Sequence, residues 1–247
     1  MSFRVSIAFA VAVLTLATQV MAADTMSVGI TTTGVPFTFV DLATQKPTGA
    51  MVDLASAIAA DNGMQTEFQI SAFPALIPAL TTGKINLISA ALFTSDKRRQ
   101  VVDFSTPVYA YGEAMFVAEA DRRNYTLEEL KGQVVGAPIG STIAESLEAA
   151  GAFGEVKQYD SIADIMRDVK LGRIKAGFAD RPIVAYQLTQ NPGLGVRIVD
   201  GYQPMHVGEV ALAVAKGDEQ LLAKVNAAIA KLKQSGELAK IFARYGL

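Results

Sequence analysis

The chain has 247 residues, 51% hydrophobic and 19% charged, which suits one large globular domain or two modest ones and excludes a disordered chain. Its 22 basic and 24 acidic residues leave a net charge of -2, without the cationic excess of a nucleic-acid surface. The chain has no cysteine and one histidine, His206, which excludes disulfides, thiol catalysis, thiolate metal sites, a lipid-modified cysteine and a multi-histidine metal centre.

Arg4 precedes the apolar run "VSIAFAVAVLTLA", shorter than the roughly 20 residues a membrane-spanning helix needs. Val20 and Ala22 stand where a signal peptidase reads, so residues 1–22 are expected to be a cleaved signal peptide and the mature chain to begin at Ala23. Without a lipid anchor, the product is expected to be soluble and, in a double-membrane bacterium, periplasmic.

From residue 25 the pattern alternates. "SVGIT" reads as a strand, "MVDLASAIAADNG" as a helix closing at Gly63, "TEFQI" as a strand, "PALIPALTTG" as a short helix and "INLISA", residues 85–90, as a sparsely charged strand. A second round follows: strand "QVVGA", helix "STIAESLEAAG", strand "EVKQY", helix "SIADIMRDVKLG" opened by the cap pattern Ser161 to Asp164, and strand "IKAGFA". "TTGKINLISAA" and "KLGRIKAGFAD" share the order helix, glycine, basic residue, isoleucine, strand, which suggests two lobes of similar build, although a glycine closing a helix is common. "PVYAYGEAMFVAEA" and "MHVGEVALAVAKGD" are extended by composition, and the chain ends in the helices "EQLLAKVNAAIAKLKQSG" and "ELAKIFARYGL".

The expected fold class is therefore α/β. One lobe comprises residues 23–111 with 207–247, the other residues 112–206, and the two extended crossings form a hinge that can absorb a rigid-body closure. A hinge that must open and close favours a monomer.

Ligands of open parallel sheets bind beyond the carboxyl ends of the strands. There the first lobe delivers "ALFTSDKRR" and the second delivers Asp180. An isolated KRR run more often marks a solvated helix face. Between them "GAPIGST" runs from a strand to Ser141 and Thr142 at a helix start, where free N–H groups attract an anion. It lacks the lysine of a phosphate loop, and such a turn is also an ordinary capped connection. A guanidinium forking onto a carboxylate, helix N–H groups and an acceptor for an ammonium together describe a site for a zwitterion such as an α-amino acid.

The stretch from about residue 26 to 247 resembles the family 3 extracellular solute-binding proteins, periplasmic amino-acid receptors of ABC importers with the type II binding-protein fold. The motifs are "VPFTF" with "GAMVDLASAIA", "ALIPALTTGKINLI", "SDKRRQVVDFSTPVY", "VVGAPIGST", "GRIKAGFAD" and "GELAKIFARYG". The resemblance implies that Arg98 binds the ligand, with Lys97 and Arg99 solvated. It assigns Ser141 and Thr142 as the second-lobe hydroxyl pair, Asp180 as the acceptor for the ammonium, Phe73 as a wall and the backbone near Ala91 as a carbonyl acceptor. It further implies delivery to an inner-membrane ABC permease, with no cofactor.

Three positions depart from the family pattern. Phe93 replaces a hydroxyl residue, Gly34 an aromatic ring, and Thr31 an aspartate typical of receptors for basic amino acids. From these we expect Phe93 to fill space left by Gly34, lysine and arginine to be poor ligands, and the ligand to be an uncommon amino acid or a derivative. A rearranged pocket for an ordinary ligand is the competing expectation. Periplasmic dehydratases of the aromatic pathway are similar to this fold and form the alternative. Glu145 or Glu209 would then supply the acid, although neither lies in a catalytic motif, and no G-x-S-x-G or H-E-x-x-H pattern occurs. A sensory receptor that hands its signal to a chemotaxis or kinase partner would bind in the same way.

Overall fold

The computed structural model describes residues 24–205 and 207–247; the expected signal segment, Ala23 and His206 lie outside the described residues. The first segment runs β1 (Thr25–Ile30), a small hairpin β2 (Phe39–Val40) and β3 (Pro47–Thr48), α1 (Ala50–Asp61), β4 (Gln65–Ile70), α2 (Leu76–Thr81), β5 (Leu87–Ile88), α3 (Asp96–Arg99) and β6 (Val102–Phe104). The second runs β7 (Tyr109–Ala118), β8 (Val134–Pro138), α4 (Thr142–Ala150), β9 (Glu155–Tyr159), α5 (Ile162–Lys170), β10 (Ala176–Asp180), α6 (Arg181–Gln190) and β11 (Val196–Ile198). The chain closes with β12 (Val207–Val210), β13 (Ala213–Ala215), α7 (Glu219–Gln234) and α8 (Glu237–Ala243).

Two α/β sheets result. The first has the order β4-β1-β5-β13-β6, with β1 parallel to β4 and β5 and with β13 antiparallel to its neighbours. Alternation along β1 sends Met26, Val28 and Ile30 into a core with Leu54 and Ile58 of α1 and Val225 and Ile229 of α7. Leu76 and Leu80 of α2 cover the other face with Ile85 and Ile88. The second sheet has the order β11-β7-β10-β8-β9. Met115, Val117, Val135 and Phe178 pack on Ile143 and Leu147 of α4. On the opposite face Phe116 and Ala179 meet Ile165 of α5 and Ile183 of α6. Both sheets are covered on both faces, which accounts for their low charge.

The crossings are paired with each other. β7 is antiparallel to β12 from Tyr109 to Gly112, then continues into the second sheet beside β10 and β11. One ten-residue strand thus joins both lobes.

One expectation needs correction. The strand expected at 85–90 is regular only at Leu87–Ile88. Its bonding to β1 extends further, through the Asn86 N–H to the Ser27 carbonyl (2.9 Å) and the Ser89 N–H to the Gly29 carbonyl (3.0 Å), while β13 meets it only at Ala213. Lys97, expected to be solvated, is 77% exposed and lies 2.6 Å from Glu145 of the facing lobe. Arg99 is exposed, its guanidinium over the Phe104 ring at 5.4 Å.

Candidate functional site

A cavity of about 670 Å³, mouth included, lies between the sheets, and every site residue expected from sequence borders it. Thr31, Gly34, Phe73, Ala91, Phe93 and Arg98 come from the first-sheet side; Ser141, Thr142 and Asp180 come from the second.

Arg98 is placed by α3, a single turn that Ser95 opens by accepting the Arg98 N–H at 3.3 Å. The side chain is only 9% exposed. Nη1 donates to the Phe93 carbonyl (2.7 Å) and Nη2 to the Gly140 carbonyl (3.0 Å), so one guanidinium bridges the two sides of the cleft. Two of its five N–H donors are thereby used, and the rest remain for an anion. Burial lowers its pKa from the ordinary arginine value, opposed by the charges of Glu145 and Asp180. Phe73 lies beneath it, ring centroid at 5.7 Å, close enough for a cation–π contact.

Asp180 ends β10 and opens α6, whose second residue is Pro182, a residue suited to a first helical turn. Its carboxylate makes no capping bond; Oδ1 accepts from the Tyr111 hydroxyl at 2.8 Å. Burial raises the Asp180 pKa, while the Tyr111 bond and Arg98 pull it down and Glu113 pushes it up. Burial and the Asp180 charge hold the Tyr111 hydroxyl well above its ordinary pKa, so it stays a donor. Glu113, opposite Asp180 in the β7–β10 register, is 1% exposed and accepts from the Tyr202 hydroxyl (2.6 Å) and the Met205 N–H (2.5 Å).

The turn before α4 divides its duties. Ser141 is the N-cap: its hydroxyl accepts the Ala144 N–H at 3.1 Å and donates to the Pro138 carbonyl at 2.7 Å. The backbone N–H groups of Thr142 and Ile143, in the first turn, have no intrahelical acceptor by position. Gly140, with φ of 70°, brings its backbone beside Pro74 of the facing lobe, where a Cβ would lie 3.1 Å from the proline. Ala91 has φ of 52°, a left-handed conformation uncommon for alanine, at the cavity edge of the first sheet.

The proposed exchange between Phe93 and Gly34 takes another form. The Phe93 ring packs on Tyr111 at 4.7 Å and lies so near Gly208 that a Cβ there would come within 2.5 Å of it. The nearest atoms to a Cβ at Gly34 belong to Thr38 and Thr31. Phe93 is thus part of the hinge packing as well as the cavity wall, because β12 carries Gly208.

Sequence reasoning passed over Thr33, Tyr111, Ile139, Ile143, Tyr159, Asp160, Ile162 and Ile183, which also border the cavity. Tyr111 had a signal: it lies in the first crossing, a strand shared by both lobes. Among the described residues no cluster of three or more His, Cys, Asp or Glu suits a metal, and no helix is long and apolar enough to cross a membrane.

Comparison with known proteins agrees with this architecture. The chain is 30% identical over 221 residues to ABC transporter arginine-binding protein 1 of Escherichia coli (strain K12), covering 89% of this chain and 90% of that protein. It is similar to the structure of an ancestral arginine-binding protein bound to arginine, with a TM-score of 0.83 and 35% identity, covering 90% of this chain and 97% of that one. A histidine kinase sensor domain with similarity to periplasmic binding proteins gives a TM-score of 0.84 at 26% identity, covering 90% of this chain and 96% of that one. The fold is therefore the two-lobed periplasmic binding-protein fold, and the sequence relatives are amino-acid-binding proteins. The model of the bacterial extracellular solute-binding proteins, family 3, matches residues 26–247, and this chain belongs to that family.

Proposed function

We propose that this protein captures an amino acid or an amino-acid derivative between two closing lobes in the periplasm and delivers it, as a monomer, to an ABC permease. The observation that carries this reading is the placement of Arg98 and Asp180 on opposite sides of one cavity. The free N–H donors of Arg98, with the first-turn N–H groups of Thr142 and Ile143, suit an α-carboxylate; the Asp180 carboxylate suits an α-ammonium. A ligand held at both ends touches both lobes, and only contacts stronger in the closed state can drive closure. The domain boundaries, residues 23–111 with 207–247 and residues 112–206, follow the two crossings and belong to the same proposal.

A dehydratase on this fold would need a positioned acid. The carboxylates bordering the cavity are Asp160 and Asp180, whereas Glu145 pairs with Lys97 and Glu209 lies exposed on β12, neither of them bordering it. The two acids expected to serve a dehydratase therefore stand away from the cavity. The likeness to a sensor domain supports a second reading, in which the same closure is reported to a signalling partner.

Uptake of a labelled amino acid in a strain lacking the gene tests the transport reading. Lost uptake restored by the wild-type gene supports it; unchanged uptake with a lost tactic or kinase response supports the sensor. Consumption of prephenate or arogenate by the purified protein would overturn the binding reading.

A further inference from the structure

The cavity contains little that could receive a polar ligand side chain. This inference rests on the proposed function, because it sets aside Arg98 and Asp180 as partners of the α-carboxylate and α-ammonium. Of the other hydroxyls bordering the cavity, Thr142 stands at the α4 start among the N–H groups assigned to the α-carboxylate, while Tyr111 donates to Asp180 at 2.8 Å and Tyr159 to Asp168 at 2.9 Å. The Thr31 and Thr33 hydroxyls are 3.0 Å apart, and Thr31 also accepts the Thr33 N–H at 3.2 Å. The Ser141 hydroxyl and the Pro138 carbonyl are bonded together at 2.7 Å.

What remains of the wall is largely carbon. Ile139, Ile143, Ile162 and Ile183 border the cavity from the second lobe and Phe73 from the first. Asp160 is the one further carboxylate bordering the cavity among the described residues, and it is exposed, where water competes for any cation it meets. A guanidinium, ammonium or amide brought against the isoleucines would lose its hydration without a partner, whereas a branched or aromatic side chain gains from the same burial.

We infer that the ligand is an α-amino acid with an uncharged, branched or aromatic apolar side chain, and that arginine, lysine and glutamine are discriminated against. This departs from the arginine-binding relatives. Thr31 and the four isoleucines give the physical reason: among the described residues, the cavity is bordered by no carboxylate other than Asp180, assigned to the ammonium, and the exposed Asp160.

The test is isothermal titration of the purified protein, unfolded and refolded to remove carried-over ligand, with leucine, isoleucine, methionine and phenylalanine against arginine, lysine and glutamine. Burial of a leucine-sized side chain corresponds to roughly ten- to hundredfold in affinity, and loss of hydration at a polar terminus widens the gap. At least one apolar amino acid is therefore expected to bind about 100-fold more tightly than arginine. Arginine, lysine or glutamine binding as tightly as every apolar amino acid would overturn the inference and leave the amino-acid reading intact. Absence of binding by every α-amino acid would overturn that reading, and this inference with it.

Discussion

Replacing Arg98 by lysine keeps the positive charge and removes the fork. In the native site Nη1 reaches the Phe93 carbonyl at 2.7 Å and Nη2 the Gly140 carbonyl at 3.0 Å, with further N–H groups left for the ligand. An ammonium has three donors at one point and cannot span both carbonyls while also pairing with a carboxylate. A hydrogen bond to a charged group contributes about 1.5 to 3 kcal/mol. Losing the Gly140 bond, which joins the lobes, and one arm of the carboxylate fork therefore costs about 3 to 6 kcal/mol of closed complex. At about 1.4 kcal/mol per tenfold, that is a loss of roughly 10² to 10⁴ in affinity. Isothermal titration of Arg98→Lys with the best amino-acid ligand measures it, and circular dichroism checks that the fold persists. A dissociation constant within about fivefold of wild type would refute the bridging role of the guanidinium.

Ser141→Ala should cost about 1 kcal/mol in denaturant unfolding, because it removes the cap of α4, while changing ligand affinity by less than about fivefold, since that hydroxyl is bonded to Pro138 and Ala144. Lys97→Ala should weaken binding by a few-fold at most, in line with an exposed ion pair worth about 0.2 to 1 kcal/mol, and the difference should shrink in high salt. Asp168 accepts from Lys157, Tyr159 and Arg173, and these bonds lower its pKa from 3.8 to about 2. A depressed folded pKa gives stability that is present above pH 4 and lost as the pH falls toward 2, so the stability gap between wild type and Asp168→Asn should narrow across that window in urea titrations.

Much of the fold was legible because its signals are local. Ser141 and Ser161 both cap the helices expected of them, and β1, β4, β8 and β9 follow runs rich in β-branched or aromatic residues. α3 escaped because four charged residues have no periodicity, and α6 because its apolar residues do not gather on one face. Arg98 and Asp180 could be named because each follows a strand aimed at the same edge. The partners that define their chemistry could not. Tyr111 and Glu113 reach Asp180 only through the long-range pairing of β7 with β10, and the four isoleucines border the same cavity as Phe73 only because the two lobes face each other. Such information is carried by register and lobe placement, which no local pattern encodes.

The most direct test of the central claim compares three molecules: the tightest-binding amino acid, the same molecule without its α-amino group, and the same molecule without its α-carboxylate. Isothermal titration of each into the wild-type protein, Arg98→Ala and Asp180→Asn reads both ends of the site separately. If Arg98 and Asp180 grip the two ends, both truncated molecules should bind the wild type at least about 100-fold more weakly, as expected when one partner of a buried charge pair is removed. Asp180→Asn should then no longer distinguish the intact ligand from its des-amino form. A truncated molecule that binds the wild type as tightly as the intact one would contradict the account.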